Sequence, residues 1–262
     1  MTKKIGILLI ATGKYISFVD QFITSANEYF MKGTENEVYY FVFTDSKIIP
    51  EGAIRIFQKH KKFPYPTLMR YHIFLESKKL LSKMDYLFYC DVDTRFVSKV
   101  GEEVLGNLVA TKHGLFYNVD RRDFTYENQK ESTAYIRPKE GKYYFCGGFN
   151  GGKTRRFLKM AKTIARNIDK DEERNIVAVW HDESHLNRYL INYPPDKILD
   201  PGYCYPEGGT LPFTPRLLAL NKDHAGMRYS GLEKYSKMAW YKFLETIGPT
   251  YRSVKKFWIS FT

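Results

Sequence analysis

Tyr86-Leu87-Phe88-Tyr89-Cys90-Asp91-Val92-Asp93 decides how the rest of the chain is read. The apolar run from Tyr86 to Cys90 is too short for an ordinary helix and suits a strand buried on both faces. Two carboxylates follow at once. Extended-chain alternation turns Asp91 and Asp93 to one side and Val92 to the other. In open α/β sheets ligands gather beyond the carboxyl ends of the strands, where this pair falls. Paired carboxylates there can hold a hard divalent cation such as Mn²⁺ or Mg²⁺ and leave other coordination positions to substrate phosphates and water. A solvated turn would show the same D-x-D pattern. The apolar strand before it and the α/β order around it favour the ligand-binding reading.

Working toward the N-terminus, Leu68, Tyr71, Phe74, Leu75 and Leu81 mark a helix after the Pro64/Pro66 loop. Val38 to Thr44 is a second apolar strand, and Val19, Phe22, Ile23, Ala26 and Phe30 recur at helical spacing. Ile5 to Ala11 reads as a buried first strand; it is too short for a secretory signal, and no small-residue cleavage site follows. This β-α-β-α-β order predicts an α/β fold built on a parallel sheet with crossover helices. No GxGxxG follows the first strand, which argues against a dinucleotide enzyme.

Toward the C-terminus, Leu115 to Asn150 mixes short strands with polar loops. Tyr144 to Gly152 (YFCGGFNGG) carries two glycine pairs, which permit close backbone approach and read locally as a tight hairpin turn. It lacks the G-K-[ST] of a phosphate loop. Phe157, Ala161, Ile164, Ala165 and Ile168 give an amphipathic helix. Trp180-His181-Asp182-Glu183-Ser184 opens another, which carries Leu186 and Leu190 and stops at Pro194-Pro195. Asp182 or Ser184 can cap it, and Glu183 in the first turn suits the helix dipole. Alternatively Glu183, beside Trp180, faces a sugar ring as nucleophile or as stabiliser of an oxocarbenium-like transition state.

With 262 residues, 44% hydrophobic and 27% charged, the chain can bury a full core and needs no covalent staple. Lys and Arg number 41 against 29 Asp and Glu, a net charge of +12 that favours polyanions or phosphorylated substrates. A polyanion-binding protein is therefore the rival class. Cys90, Cys146 and Cys204 form no CxxC and are expected as free thiols in a reducing compartment. No run reaches the roughly 18 apolar residues of a membrane span. From Tyr229 onward nine aromatics accompany six Lys/Arg and two Glu, which makes 229–262 a basic aromatic helical tail, a candidate surface anchor to anionic lipid or a helix packed on the body.

YLFYCDVDTRF, FTYE (Phe124 to Glu127), STAYI (Ser132 to Ile136), YYFCGGFNGG and VWHDESHLNRYL, in collinear order over about residues 5–228, resemble glycosyltransferase family 6. That family includes the histo-blood-group A and B transferases and the α1,3-galactosyltransferases. The resemblance implies a Rossmann-like nucleotide-sugar transferase fold of type A, with a mixed central sheet flanked by helices and a catalytic domain over 1–228. It implies retaining transfer of N-acetylgalactosamine or galactose from UDP to the 3-OH of a β-galactoside. Asp91 and Asp93 would bind a metal under the UDP phosphates, with Val92 between them. Ile10, Thr12 and Tyr15 would hold uracil and ribose, and Arg70 would lie near donor and metal aspartate. Cys146, Gly147 and Gly148 stand in the donor-selecting segment, and Asp182 at a donor-sugar contact. His113 and Trp180 match acceptor contacts, Glu183 matches the catalytic glutamate, which also meets the acceptor, and Lys222 and Arg228 match a lid over the diphosphate. Gly148 leaves room beside C2 of the sugar, which favours UDP-GalNAc over UDP-Gal. Cys146 departs from the usual occupants of its position, and His113-Gly114 lacks the family's proline. The retained aspartate pair predicts metal dependence. A start at the catalytic domain suggests an anchorless, bacterial-type member, cytoplasmic or peripheral on the inner membrane face, with no nucleic-acid partner.

Overall fold

A computed structural model describes residues 2–229. Lys4–Ile10 forms β1, and α1 (Val19–Tyr29), β2 (Glu37–Thr44) and β3 (Ala53–Phe57) follow. Three short helices, α2 (Tyr65–Leu68), α3 (Arg70–Glu76) and α4 (Lys78–Leu81), lead to β4 (Tyr86–Cys90) and β5 (Thr94–Phe96). Then come β6 (Val109–Lys112), β7 (Phe145–Lys153), α5 (Thr154–Glu172) and α6 (Asp182–Asn192). β8 (Lys197–Leu199), β9 (Tyr205–Pro206), β10 (Leu217–Ala219) and α7 (His224–Arg228) complete the described elements.

Seven strands join in the order β3-β2-β1-β4-β7-β6-β8. β1 pairs in parallel with β2 and β4, and β2 with β3, as the β-α-β order predicts. β7 then runs antiparallel to both β4 and β6, so the sheet is mixed. Alternation along β1 feeds two cores. Ile5, Ile7 and Leu9 pack with Phe22 and Phe30 beside α1, and Leu8 and Ile10 pack with Tyr71, Phe74 and Phe157 beside α3 and α5. All five anchors expected on α5 are buried. The expected helix around Leu68–Leu81 is broken at Met69 and Ser77, yet Leu68, Tyr71, Phe74 and Leu81 all stay in one core. Each large side chain fully buried there contributes about 2 kcal/mol, which holds the β4 tip in place.

The hairpin expected at Tyr144–Gly152 is not formed. Phe145–Lys153 is instead one continuous strand, buried from Phe145 to Gly152, in the middle of the sheet. A Cβ on Gly151 would collide with the Leu87 carbonyl oxygen of β4. Close approach of the neighbouring strand requires the glycine there, and tertiary packing overrides its poor strand propensity.

The chain divides into two compact units, Met1–Leu220 and Asn221–Thr262. Of the second, residues 221–229 are described, and they carry α7. The basic aromatic tail lies outside the described residues apart from Tyr229. No helix among the described residues is long and apolar enough to cross a membrane.

Candidate active site

β4 ends at Cys90, and the aspartate pair sits in the bend that follows. Val92, 2% exposed, turns into the core beside α1. The Asp91 side chain is 39% exposed, while Asp93 is mostly covered. The Asp91 N–H donates to the Gly148 carbonyl at 2.9 Å, which holds the strand tip in register with the glycine pair of β7. Asp91 Oδ1 accepts a short hydrogen bond from Tyr89, two residues earlier on the same strand face, and stands 3.4 Å from Arg70 Nη2. A Cβ built on Gly148 would lie 3.0 Å from Asp91 Oδ2, so that oxygen is turned toward the glycine pair. The Asp93 carbonyl accepts from the Leu220 N–H at 3.0 Å, which ties the bend to the end of β10.

This donor set fits a hard cation. It offers two carboxylates at a strand end, one of them open. Among the described residues no cluster of three or more His, Cys, Asp or Glu side chains closes a metal cage. Such an open site leaves coordination positions to phosphates and water.

The second carboxylate centre is the start of α6. The Asn187 side chain pins this helix to β7: its Oδ1 accepts from Phe145 N–H at 2.9 Å, and its Nδ2 donates to the Phe145 carbonyl at 2.8 Å. One turn earlier, Glu183 meets the same strand. Its Oε2 accepts from Gly147 N–H at 2.7 Å, and its Oε1 from the Tyr144 hydroxyl at 2.9 Å. Burial raises the Glu183 pKa to about 7, against the lowering effect of those two donors. Neither Asp182 nor Ser184 caps the helix. The capping position is His181, at φ 51° and ψ −125°, and its side chain makes no capping bond. Ser184 Oγ instead accepts from Trp180 N–H at 3.0 Å. Asp182 and Glu183 occupy the first turn, where the helix dipole favours negative charge.

Arg70, buried on α3, joins the two centres. Its Nη1 donates to the Gly147 carbonyl at 3.0 Å and stands 3.1 Å from Asp182 Oδ2, and its guanidinium lies 3.9 Å over the Tyr89 ring. Burial works against the Arg70 charge, but Asp182, Tyr89 and Asp91 outweigh it and raise its pKa. Burial likewise raises Asp182, to about 7, against the pull of Arg70. Asp182 has no accessible surface, and its two carboxylate oxygens accept no hydrogen bond beyond that ion pair.

The expected acceptor residues meet around Tyr144. The His113 ring stands edge-on to it at 5.7 Å, and Trp180 packs on the Tyr126–Ile136–Tyr144 cluster while its Nε1 donates to Thr125 at 2.9 Å. At the end of β1, Ile10 and Thr12 line a cavity with Tyr65 and Met69. Thr12 Oγ1 lies 3.1 Å from His60 Nδ1, and Tyr15 sits in the adjoining turn Gly13–Phe18, tilted against Phe18. Cys146 is buried in β7 beside Gly147 and Gly148. All three cysteines are free. Lys222 and Arg228 belong to the second unit, Lys222 before α7 and Arg228 at its end.

Four contributors escape the sequence reading. Tyr89 was within reach, because the i, i+2 rule puts it on the face of Asp91. Asn187 stands one helical turn after Glu183, a spacing that can be read. Tyr144 and Cys204 act across the fold and leave no local signal.

A model of glycosyltransferase family 6 matches residues 1–228. Human globoside alpha-1,3-N-acetylgalactosaminyltransferase 1 is 34% identical over 238 residues, 86% of this chain and 68% of that protein. Rat histo-blood group ABO system transferase 1 is 34% identical over 239 residues, with the same two coverages of 86% and 68%. The Escherichia coli O-antigen biosynthesis glycosyltransferase WbnI is 29% identical over 209 residues, 78% of this chain and 88% of that protein. With a strand-end aspartate pair and a helix-start glutamate brought to one glycine strand, and a family match over nearly its whole length, the chain belongs to glycosyltransferase family 6.

Proposed function

We propose that the protein transfers N-acetylgalactosamine from UDP-GalNAc to the 3-OH of a β-galactoside, with retention at C1 and with a divalent metal. The observation that carries this reading is the convergence of Asp91 and Glu183 on Cys146–Gly148 of β7, bridged by Arg70. A UDP-sugar donor and a galactoside acceptor are what the family implies, and its members are generally metal dependent. The catalytic domain is assigned to 1–228 and the tail to 229–262.

Asp91 and Asp93 would hold the cation, Mn²⁺ or Mg²⁺, which when bound neutralises charge on the departing diphosphate. Arg70 keeps Asp91 Oδ1 occupied, so Oδ2 is the oxygen presented to the ligand. Ile10, Thr12 and Tyr15 take the nucleoside, and Lys222 and Arg228 close on the diphosphate. Glu183, its two oxygens fixed by Gly147 and Tyr144, sits on the β-face of the sugar. There it attacks C1 or stabilises an ion pair that the acceptor enters from the same face. His113 and Trp180 seat the acceptor. Asp182, which pairs with Arg70 at 3.1 Å, is assigned to the donor-sugar contact.

Galactose is the second reading, favoured by one observation: the bare face of Gly148 is closely flanked by Cys204 Sγ and Asp91 Oδ2 rather than open. The deciding assay offers UDP-GalNAc, UDP-Gal and UDP-Glc to β-galactosides, with and without an α1,2-fucose, in Mn²⁺. An α1,3-linked N-acetylgalactosaminide is expected. A β-linked product, or salt-sensitive nucleic-acid binding without sugar transfer, overturns the proposal.

A further inference from the structure

Gly148 is the position where donor size would be read, yet the space its missing side chain leaves is already contested. A Cβ built there would lie 3.0 Å from Cys204 Sγ and 3.0 Å from Asp91 Oδ2, closer than such contacts normally come. Cys204 is also the neighbour of Cys146. A hydrogen bond to the Cys146 thiol, followed by burial, holds its own thiol well above the usual cysteine range. The negative charges of Asp91 and Glu183 push it further in the same direction. The Cys204 thiol thus stands among four site residues contributed by β4, β7 and α6. The residue as a whole is half-buried.

The segment that delivers it is firmly held. Cys204 ends the turn Pro201–Cys204, where Asp200 accepts from Gly202 N–H at 2.7 Å and the Gly202 carbonyl accepts from Arg216 N–H at 2.8 Å. A Cβ on Gly202 would collide with the Thr214 carbonyl oxygen, and the Tyr203 ring stacks on Phe149 at 6.4 Å, 7° from parallel. With the backbone fixed on both sides, a group entering between Gly148 and Cys204 is resisted by the thiol itself and by Asp91. A pocket wall bounded in this way discriminates by the volume of its side chains.

We propose that Cys204 is a specificity-determining residue for the donor sugar, and that its thiol and the bare face of Gly148 together set the depth of the pocket at C2. This rests on the donor site assigned above. Size selection is then shared between β7 and a segment more than fifty residues later, and Gly148 serves equally to admit Asp91 and Cys204.

The test measures kcat/KM for UDP-GalNAc and UDP-Gal in the wild type, Cys204→Ser, Cys204→Ala, Cys204→Leu, Gly148→Ala and the Gly148→Ala/Cys204→Ala double variant, each checked for a cooperative thermal melt. Cys204→Ser, nearly isosteric, should hold the wild-type donor ratio. Cys204→Leu should lower use of UDP-GalNAc about tenfold more than use of UDP-Gal, the order expected for one or two added methylenes. Cys204→Ala should shift the ratio about threefold the other way, and the double variant should regain about tenfold of the activity that Gly148→Ala loses. If Cys204→Leu does not fold, Cys204→Ala and the double variant decide. A ratio that stays within twofold in active variants, together with no rescue, overturns this inference while leaving the donor site intact. A wild type that uses neither nucleotide sugar overturns both.

Discussion

Two acidic pairs, Asp91–Asp93 at the end of β4 and Asp182–Glu183 at the start of α6, share residue types and differ in almost everything else. Asp91 is 39% exposed and offers an oxygen to the pocket, whereas Asp182 is wholly covered and Glu183 half-buried. Burial lifts both α6 carboxylates to about 7. The contrast teaches that a carboxylate's task is set by its solvation. An open carboxylate at a strand tip suits a cation, and a partly desolvated glutamate with two aimed donors suits the carbon under the leaving group. Arg70 connects the pairs through the Gly147 carbonyl, so each is oriented with reference to the same strand.

The largest expected effect comes from breaking the strand-end pair. Asp91→Asn with Asp93→Asn removes the ligands for a charge that supplies several kcal/mol, so kcat/KM should fall by about 10³-fold. EDTA should have a similar effect on the wild type, reversed by Mn²⁺. Undiminished turnover in EDTA would remove the metal from this pair. Next in size, Glu183→Gln should lower kcat by about 10²-fold while UDP affinity stays within about threefold by calorimetry. A large loss of UDP binding instead would make Glu183 a structural residue and dissolve the division of labour.

The contrast was partly visible in the sequence. Apolar runs mark β1, β2 and β4 because strands buried on both faces admit little else. The aspartate pair directly after YLFYC marks the strand tip, and the Asp182–Glu183 first turn could be read from Leu186 and Leu190. β7 was not legible as a strand. Its glycines answer to the nearness of β4, a tertiary fact that no local propensity records. Strands of two or three residues such as β5, β9 and β10 were equally hidden, since β10 finds β5 more than a hundred residues back. Arg70, which joins the two acid pairs, was named through the family resemblance, whereas Tyr89 and Tyr144, which orient Asp91 and Glu183, are aromatic rings that no local pattern singles out.

Tyr144→Phe sharpens the contrast more gently. It deletes one of the two hydrogen bonds that favour the charged form of Glu183. The glutamate pKa should rise further, by up to about one unit, so the acid limb of kcat moves to higher pH. At neutral pH kcat should fall by up to about fivefold, and that loss should return at higher pH. An unmoved acid limb would mean that Tyr144 serves only the aromatic cluster around His113 and Trp180.

The smallest effect is on stability, and its sign follows from the raised carboxylates. Glu183 has a folded pKa near 7 against an ordinary 4.5, so between those values the folded state binds more protons than the unfolded chain. Stability therefore falls as pH rises through that window, and the cost of ionising the glutamate is fully present above about pH 7. Glutamine carries no charge to ionise. Its oxygen can still accept from Gly147, and its amide can donate to the Tyr144 hydroxyl, whose proton turns elsewhere. Glu183→Gln should therefore match the wild type in melting temperature near pH 5 and exceed it by about 3 °C at pH 8. The open carboxylate of the strand-end pair predicts a different pattern. Asp91→Asn alone should leave the pH dependence of melting almost unchanged, because a side chain 39% exposed gives up little solvation on folding. Equal pH profiles for the two variants would erase the difference in solvation on which the separate roles depend.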